Sequence, residues 1–326
     1  MKQKRNSNGN QLTMALLNNK ALLILIVLVM VAGIMTDGLF FSYKNLSSVS
    51  RQIAVNAMLG LGFTVLLASG SIDLSVGNML SFLGVVYAIF TLHMPLPIAI
   101  IGALIVGALC GVANGAISIG LGLPPFIVTL AMSQAYKGFA YLLTNGKSIT
   151  GMSASVKYIG QGLLFGFLPV SIVIALCCCG VLALMMYSTK FGRHTIATGG
   201  NAEAAKVCGI NTEFIRIAGF VVLGVCAAIG GIILTGRVSI AAPGAGDGME
   251  MDAIAAVVIG GTAMNGGKAK VGGTIFGCLV MGVMSNLLNL LNISSFWQWV
   301  AKCVIIILAI LLDSWTEKVF KNAMKK

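Results

Sequence analysis

Apolar stretches, each close to the length that crosses a hydrocarbon core of about 30 Å as a helix, recur from Lys20 to the end of the chain. Short polar or glycine-rich connections separate them. They predict spans at 20–36, 53–70, 78–92, 97–119, 125–144, 166–188, 214–235, 251–264, 272–292 and 297–313, roughly ten helices by the length criterion. No soluble domain fits between them. The expected fold class is all-α, a polytopic membrane protein forming one transmembrane domain over residues 1–326. Short tails (1–19 and 314–326) and one long polar loop (189–213) lie outside the spans.

Composition agrees. With 58% hydrophobic residues, 9% charged residues and a mean hydropathy of +0.98, the chain lies outside the range of soluble domains. The net charge of +12 could point to nucleic acid, but the basic residues sit in the tails and connections and are not interleaved with stacking aromatics. Membrane orientation accounts for them instead. An even number of spans puts both termini on one side, and Lys318, Lys321, Lys325 and Lys326, the 190–216 connection and the Lys268/Lys270 turn mark that side as cytoplasmic. Lys44, Arg51, Lys147 and Lys157 run against this bias. The first apolar run, behind Lys2, Lys4, Arg5 and Lys20, lacks a small-residue cleavage site and is read as an uncleaved first helix.

Two glycine-rich interruptions break the spans. In GSIDLSVGN (70–78), Gly70 ends one helix and Asp73 or Ser75 caps the next by accepting its free amides. Alternatively the stretch is a re-entrant break whose backbone, with Ser71, Asp73 and Ser75, lines a transport path, because irregular backbone at membrane depth must be buried in protein or line water. The second interruption carries Gly260, Gly261 and Thr262, then Asn265, Gly266 and Gly267 before the basic turn. Paired glycine-broken segments of this form mark the path in many carriers.

Polar residues inside the spans are read on two levels. Lys137, near the middle of 125–144, either pairs with a carboxylate or with carbonyl ends of broken helices, or acts as a gate. Lys302, beside Trp297 and Trp299, can snorkel to the interface. Asn56, Asn114, Gln134, Asn286 and Asn289 can bind helices together or meet a sugar's hydroxyls; Asn286 and Asn289 share a helix face. Gly107, Gly111 and Gly115 stack on one face, as close helix packing requires.

Catalytic chemistry finds no footing. The 8 cysteines lack paired metal spacing, and Cys177, Cys178 and Cys179, being consecutive, point in different directions on a helix. His93 and His194 have no local metal or nucleophile pattern, and Gly146-Lys147-Ser148 has Tyr141 where a phosphate loop needs glycine. In the polar loop, Asn201 can cap a short helix over 202–207, with Glu203 in its first turn and Gly209 ending it. So short a helix must dock on its own protein or on a partner.

Three motifs, GSIDLSVG, GGNAEAAKVCGI and MDAIAAVVIGGTAMNGGKAKVGGTIFG, the last carrying Asp252, resemble in order and spacing the permease subunits of bacterial ribose-type sugar ABC importers. The resemblance extends from about residue 20 to 313. It implies a pair of permeases, expected to be identical, working with a cytoplasmic ATPase and a periplasmic or extracellular sugar-binding protein in the inner membrane. No cofactor is expected on this chain, with ATP and Mg on the partner ATPase. It also implies that Gly199, Gly200, Asn201, Glu203, Ala204, Ala205, Gly209 and Ile210 belong to an ATPase-coupling element. The chain departs from the family pattern at Ser71, Lys137, Cys208 and Ala269, which leaves the sugar open. The competing class is an ion-coupled secondary carrier or channel for a small polar solute, for which Lys137 and Asp73 would be the titratable candidates.

Overall fold

The computed structural model describes residues 20–294, 296–304 and 307. The tails 1–19 and 314–326, with their lysines, lie outside the described residues, as do positions 305–306 and 308–313 of the last predicted span. The described residues are helical almost throughout. Helix α1 (Lys20–Met35) and a 3-10 turn (Leu39–Phe41) lead into α2 (Tyr43–Ala68), α3 (Val76–His93) and α4 (Leu96–Gly115), which continues as a π turn (Ala116–Gly120). Then come α5 (Pro125–Thr144), the short α6 (Ala154–Gln161), a two-stranded hairpin (β1, Leu163–Leu164; β2, Leu168–Pro169) and α7 (Val170–Ser188). The remaining elements are α8 (Lys190–Gly200), α9 (Ala202–Val207), α10 (Thr212–Val238), α11 (Met249–Ile259) and α12 (Val271–Leu290), followed by helical residues at 296–304.

Among the described residues, six helices are long and apolar enough to cross a membrane: α2, α3, α4 with its π turn, α7, α10 and α12. The protein is an all-α multi-pass membrane protein. Helix α5 has the length, but Ser133, Gln134 and Lys137 lower its hydropathy, and α11 is only 11 residues long. Local chemistry explains the largest boundary shift. Ser42 caps α2, accepting from the Asn45 amide at 3.4 Å, so the helix starts well before residue 53 and places Lys44 and Arg51 on a helix rather than in a connection. A hydropathy window misses such polar first turns. At the other end, Gly70 adopts φ +80°, its amide bonds the Leu67 carbonyl at 2.9 Å and the Ser71 amide bonds Leu66 at 3.3 Å. That glycine-closed cap stops α2 at Ala68, as the sequence predicts.

Helix α10 occupies the middle of the bundle against α4, α2 and α3. The α4 glycine stripe makes this possible: Gly107 lies on the Gly224 backbone, Gly111 on Phe220 and Val221, and Gly115 on Ile217. Without side chains there, two backbones approach closely and gain dispersion contacts that hold helices together in lipid. The stripe therefore serves packing within one chain. Helix α2 is buried continuously from Ile53 to Ala68. The outward faces of α4 (Ile98, Ile101, Ile105, Leu109) and α7 (Leu176, Val181, Leu184) are exposed and apolar, as lipid-facing surfaces are.

Candidate functional site: two unwound segments and a docked loop helix pair

The three motifs meet at the end of the bundle that carries residues 189–213, called the lower end here. Gly199 of α8 packs on the Ala68 carbonyl that ends α2 and on the backbone of Gly267, and the Gly267 amide donates to the Ala68 carbonyl at 3.0 Å. Gly266 and Gly267, both at positive φ, lie against Gly199 and Gly200, and Gly70 faces Gly199 across the same junction. Any side chain at Gly199 would overlap backbone on both sides. The loop helix pair thus sits without slack on the turns that close both interrupted spans.

The loop itself holds more helix than the sequence predicts, because α8 precedes the short helix and contains Gly199 and Gly200. Asn201 caps α9 as expected, accepting from the Ala204 amide at 3.0 Å, and Gly209 closes it at φ +82°. Ala205 is buried, so its side chain faces the body of the protein and not a partner. Glu203, Ala204 and Gly209 are exposed, Ile210 is half-buried, and Val207 is 90% exposed. Sequence reasoning missed Val207; its signal was an apolar residue two positions from Ala205, on the opposite face of a helix in a polar loop.

Residues 69–75 do not form a turn at the lower boundary. Gly230 of α10 packs against Val55 and Met58 of α2 and against Leu80, one turn into α3. Leu80 therefore stands roughly 15–20 Å above the lower end of α2, so residues 69–75 climb roughly 10 Å into the bundle before α3 begins. Residues 69–75 therefore re-enter the bundle, and Asp73 is enclosed there by protein. Asp73 is fully buried. Its Oδ1 accepts from the Ser75 amide (2.7 Å) and hydroxyl (2.6 Å), and its Oδ2 accepts from Asn114 Nδ2 at 2.8 Å. Asn114 Oδ1 in turn accepts from the Tyr136 hydroxyl at 2.8 Å. Asp73 serves the amide at the N-cap, but neither it nor Ser75 caps the first amides within α3, correcting the expected role. What the network does is staple the climbing segment to α4 and α5. Ser71 is buried beside it.

A second unwound segment, 239–248, went unrecognised in the sequence because SIAAPGAGDG reads as an ordinary connection. It starts at the upper end of α10, where Ile149 and Ala241 pair by both backbone bonds. From there it descends until the Gly246 amide donates to Ser81 Oγ at 2.7 Å. Ser81 lies about 18 Å below His93 along α3, so the segment enters the bundle. Helix α11, 11 residues and about 16 Å, then completes the crossing to the Gly260-Gly261-Thr262 break. Gly260 lies backbone to backbone on Gly273, Gly261 takes φ +87°, and Thr262 Oγ1 accepts from the Lys270 amide at 3.0 Å. Residues 69–75 from below and 239–248 from above converge on the first turns of α3, where Gly77 and Gly246 touch.

Lys137 resolves to the carboxylate-paired geometry: Nζ lies 2.8 Å from Asp247 Oδ2, with side chains 36% and 46% exposed. Lys302 does not snorkel. It bonds Asp252 Oδ2 at 2.7 Å, with side chains 22% and 12% exposed, because Asp252 faces it from the first turn of α11. A carboxylate so enclosed draws the cation inward. Asn286 is buried and exchanges bonds with Asn45 at 2.8 and 3.0 Å, whereas Asn289 is exposed and accepts from Gln298 at 2.8 Å, so the two amides part company.

Comparison with known proteins follows the same lines. A family model described as "Branched-chain amino acid transport system / permease component" matches residues 45–312. The chain is 37% identical over 306 residues to the ribose import permease protein RbsC of Escherichia coli (strain K12), covering 92% of this chain and 94% of that one. It is 37% identical to the ribose import permease protein RbsC of Bacillus subtilis (strain 168), over 89% of this chain and 90% of that one. With the xylose transport system permease protein XylH of Escherichia coli (strain K12) it shares 34% identity over 87% and 88% of the two chains. No solved structure matches it significantly.

Proposed function

The chain belongs to the permease-component family that this model describes, and from that premise we propose that it is the membrane subunit of an ATP-binding cassette importer for a monosaccharide. The solute is a ribose-like pentose or related hexose, in keeping with the names of the similar permeases. The chain carries no ATPase of its own; a cytoplasmic partner binds ATP and Mg and hydrolyses the nucleotide, and a periplasmic or extracellular protein delivers the sugar. Two identical permeases enclose the path, both termini lie in the cytoplasm, and about ten helices cross the inner membrane, the short α11 and the polar α5 being counted among them.

The observation that carries this reading is the lower junction. Val207 and the rest of the exposed face of α9 offer a surface to the ATPase, while α8 rests backbone to backbone on the turns after α2 and α11. Displacement of the loop pair as the ATPases close is then passed directly to both interrupted spans. The unwound segments joined to those spans, 69–75 after α2 and 239–248 before α11, meet near mid-depth, where carriers built from discontinuous helices hold their solutes. Rigid backbone contact needs no intermediate side chain to transmit the motion.

The test is uptake of labelled ribose and xylose into proteoliposomes holding the permease and ATPase, oriented with ATP on the ATPase side and the binding protein on the other. Uptake that requires both partners and ATP is expected. Uptake by this chain alone, driven by an ion gradient, would refute the importer reading and favour the secondary carrier, with Lys137 and Asp73 as its coupling candidates.

A further inference from the structure

Helix α5 is long enough to cross the membrane yet too polar to stand among the apolar spans. Its polarity is not spread around the helix. Gln134, Lys137 and Tyr141 recur at spacings of three and four, which places them on one face. Gln134 and Tyr141 are exposed, and Lys137 is 36% exposed through its side chain. The descending segment completes the strip: Asp247 is paired with Lys137, Gly244 lies against the Tyr141 hydroxyl, and the half-buried Glu250 follows beside Gly77.

The strip is not at a membrane surface. Tyr136 stacks on Phe82 at 5.9 Å between centroids, and Phe82 lies about 16 Å below His93, while Lys137 lies about 10 Å below Thr144 on its own helix. Charged side chains at that depth do not face lipid; they face a water-filled space or another protein surface. The outward faces of α4 and α7 expose isoleucine, leucine and valine, and α5 itself exposes Phe126, Ile127, Leu130, Phe139, Leu142 and Leu143, so the polar strip is a confined patch on a helix that is otherwise apolar outside. An ammonium, an amide, a phenol and two carboxylates also form the mixed donor and acceptor set that a polyhydroxylated solute requires. A cation path would call for carboxylates without the lysine.

We propose that the strip formed by Gln134, Lys137, Tyr141, Asp247 and Glu250 is the surface of the translocation path that contacts the sugar and discriminates among its epimers. The proposal rests on the importer reading above. In passage, sugar hydroxyls donate to the Asp247 carboxylate and accept from Lys137 and Gln134, replacing in part the bond that joins Lys137 to Asp247. Tyr141 offers its ring edge and hydroxyl beside them. Because Lys137 and Asp247 are already bonded to each other and partly exposed, contacts with the solute are individually weak, which lets it leave as readily as it enters.

Two measurements on the full complex in proteoliposomes test this. In the first, single cysteines replacing Gln134 and Ile105 are treated with a charged, membrane-impermeant thiol reagent, each against the unsubstituted chain as background. Reaction at 134 at least tenfold faster than at 105, slowed when sugar is being imported, is the expected result. Equal, slow reaction at both positions would overturn the proposal whether or not the complex imports sugar. In the second, Asp247→Asn and Lys137→Gln are compared for uptake of ribose, xylose and arabinose, each presented on a binding protein that carries it. A change of about fivefold or more in the ratios between sugars is expected, since a site built to bond a hydroxyl discriminates through that bond. A uniform fall for all three sugars would mean a structural role only and would overturn it. Absence of import by the unsubstituted complex would instead refute the importer reading, with the thiol measurement still deciding whether the strip is wet.

Discussion

Removing the Asp73 carboxylate should unfasten the climbing segment. In Asp73→Ala, the Ser75 amide, the Ser75 hydroxyl and one N–H of Asn114 Nδ2, which keeps its other bond to Ser75 Oγ at 2.8 Å, lose their acceptor in a place where Asp73 is fully buried. Each buried donor left unmet costs about 1–3 kcal/mol, and the Ser75 hydroxyl can turn elsewhere, so the two remaining donors make the loss about 2–6 kcal/mol. At roughly 2–4 °C per kcal/mol, the apparent melting temperature in detergent should fall by about 4–24 °C. Asp73→Asn should cost only about 1–2 kcal/mol. Its oxygen still accepts from Ser75, and its amino group can be accommodated if the Asn114 amide turns over, placing its amino group against Tyr136 Oη, which can accept. Exchanging the pair, Asp73→Asn with Asn114→Asp, restores a carboxylate between Tyr136 and the climbing segment. The double-mutant cycle should therefore return a favourable coupling of about 1 kcal/mol or more. Uptake should follow the same order, with Asp73→Ala slowest and the exchanged pair recovering. A melting temperature for Asp73→Ala within about 2 °C of the unsubstituted protein, or no coupling in the cycle, would refute the claim that this network fastens the unwound segment.

Val207→Asp should leave melting unchanged while abolishing sugar-stimulated ATP hydrolysis, since Val207 is 90% exposed on the proposed partner face. Ala205→Asp should lower the melting temperature, because it buries a charge where Ala205 is 5% exposed. If both variants melt alike, the orientation assigned to α9 is wrong. Lys302→Met leaves the largely buried Asp252 without its cation, at a cost of about 3–5 kcal/mol read as a fall in melting temperature, and adding Asp252→Leu should recover most of it. No recovery in the double variant would mean the pair is not what holds residues 296–304 against α11.

Composition and hydropathy alone determine that this chain is an α-helical membrane protein, because a bilayer admits only segments that satisfy their own backbone and bury apolar side chains. Local chemistry also reads directly from the sequence. Gly70 and Gly209 close their helices at positive φ, Asn201 caps α9, and Gly107, Gly111 and Gly115 form a packing stripe, since each depends on a few neighbouring residues. What the sequence leaves open is depth and partnership. Residues 69–75 read most simply as a capped turn at the boundary, and only the contact of Gly230 with both Val55 and Leu80 places them inside the bundle. The descent of 239–248 is invisible because glycine, alanine and proline compose a surface loop and an intramembrane one alike, the difference lying in whether Ser81 waits to accept the bond of Gly246. In the same way Lys137 and Lys302 are both lysines in apolar runs, and their carboxylates, Asp247 and Asp252, lie 110 and 50 residues away. Such pairings are long-range choices made when helices dock, so hydrophobic periodicity fixes which segments enter the membrane, and the packing of α10 against its neighbours fixes which polar groups meet there.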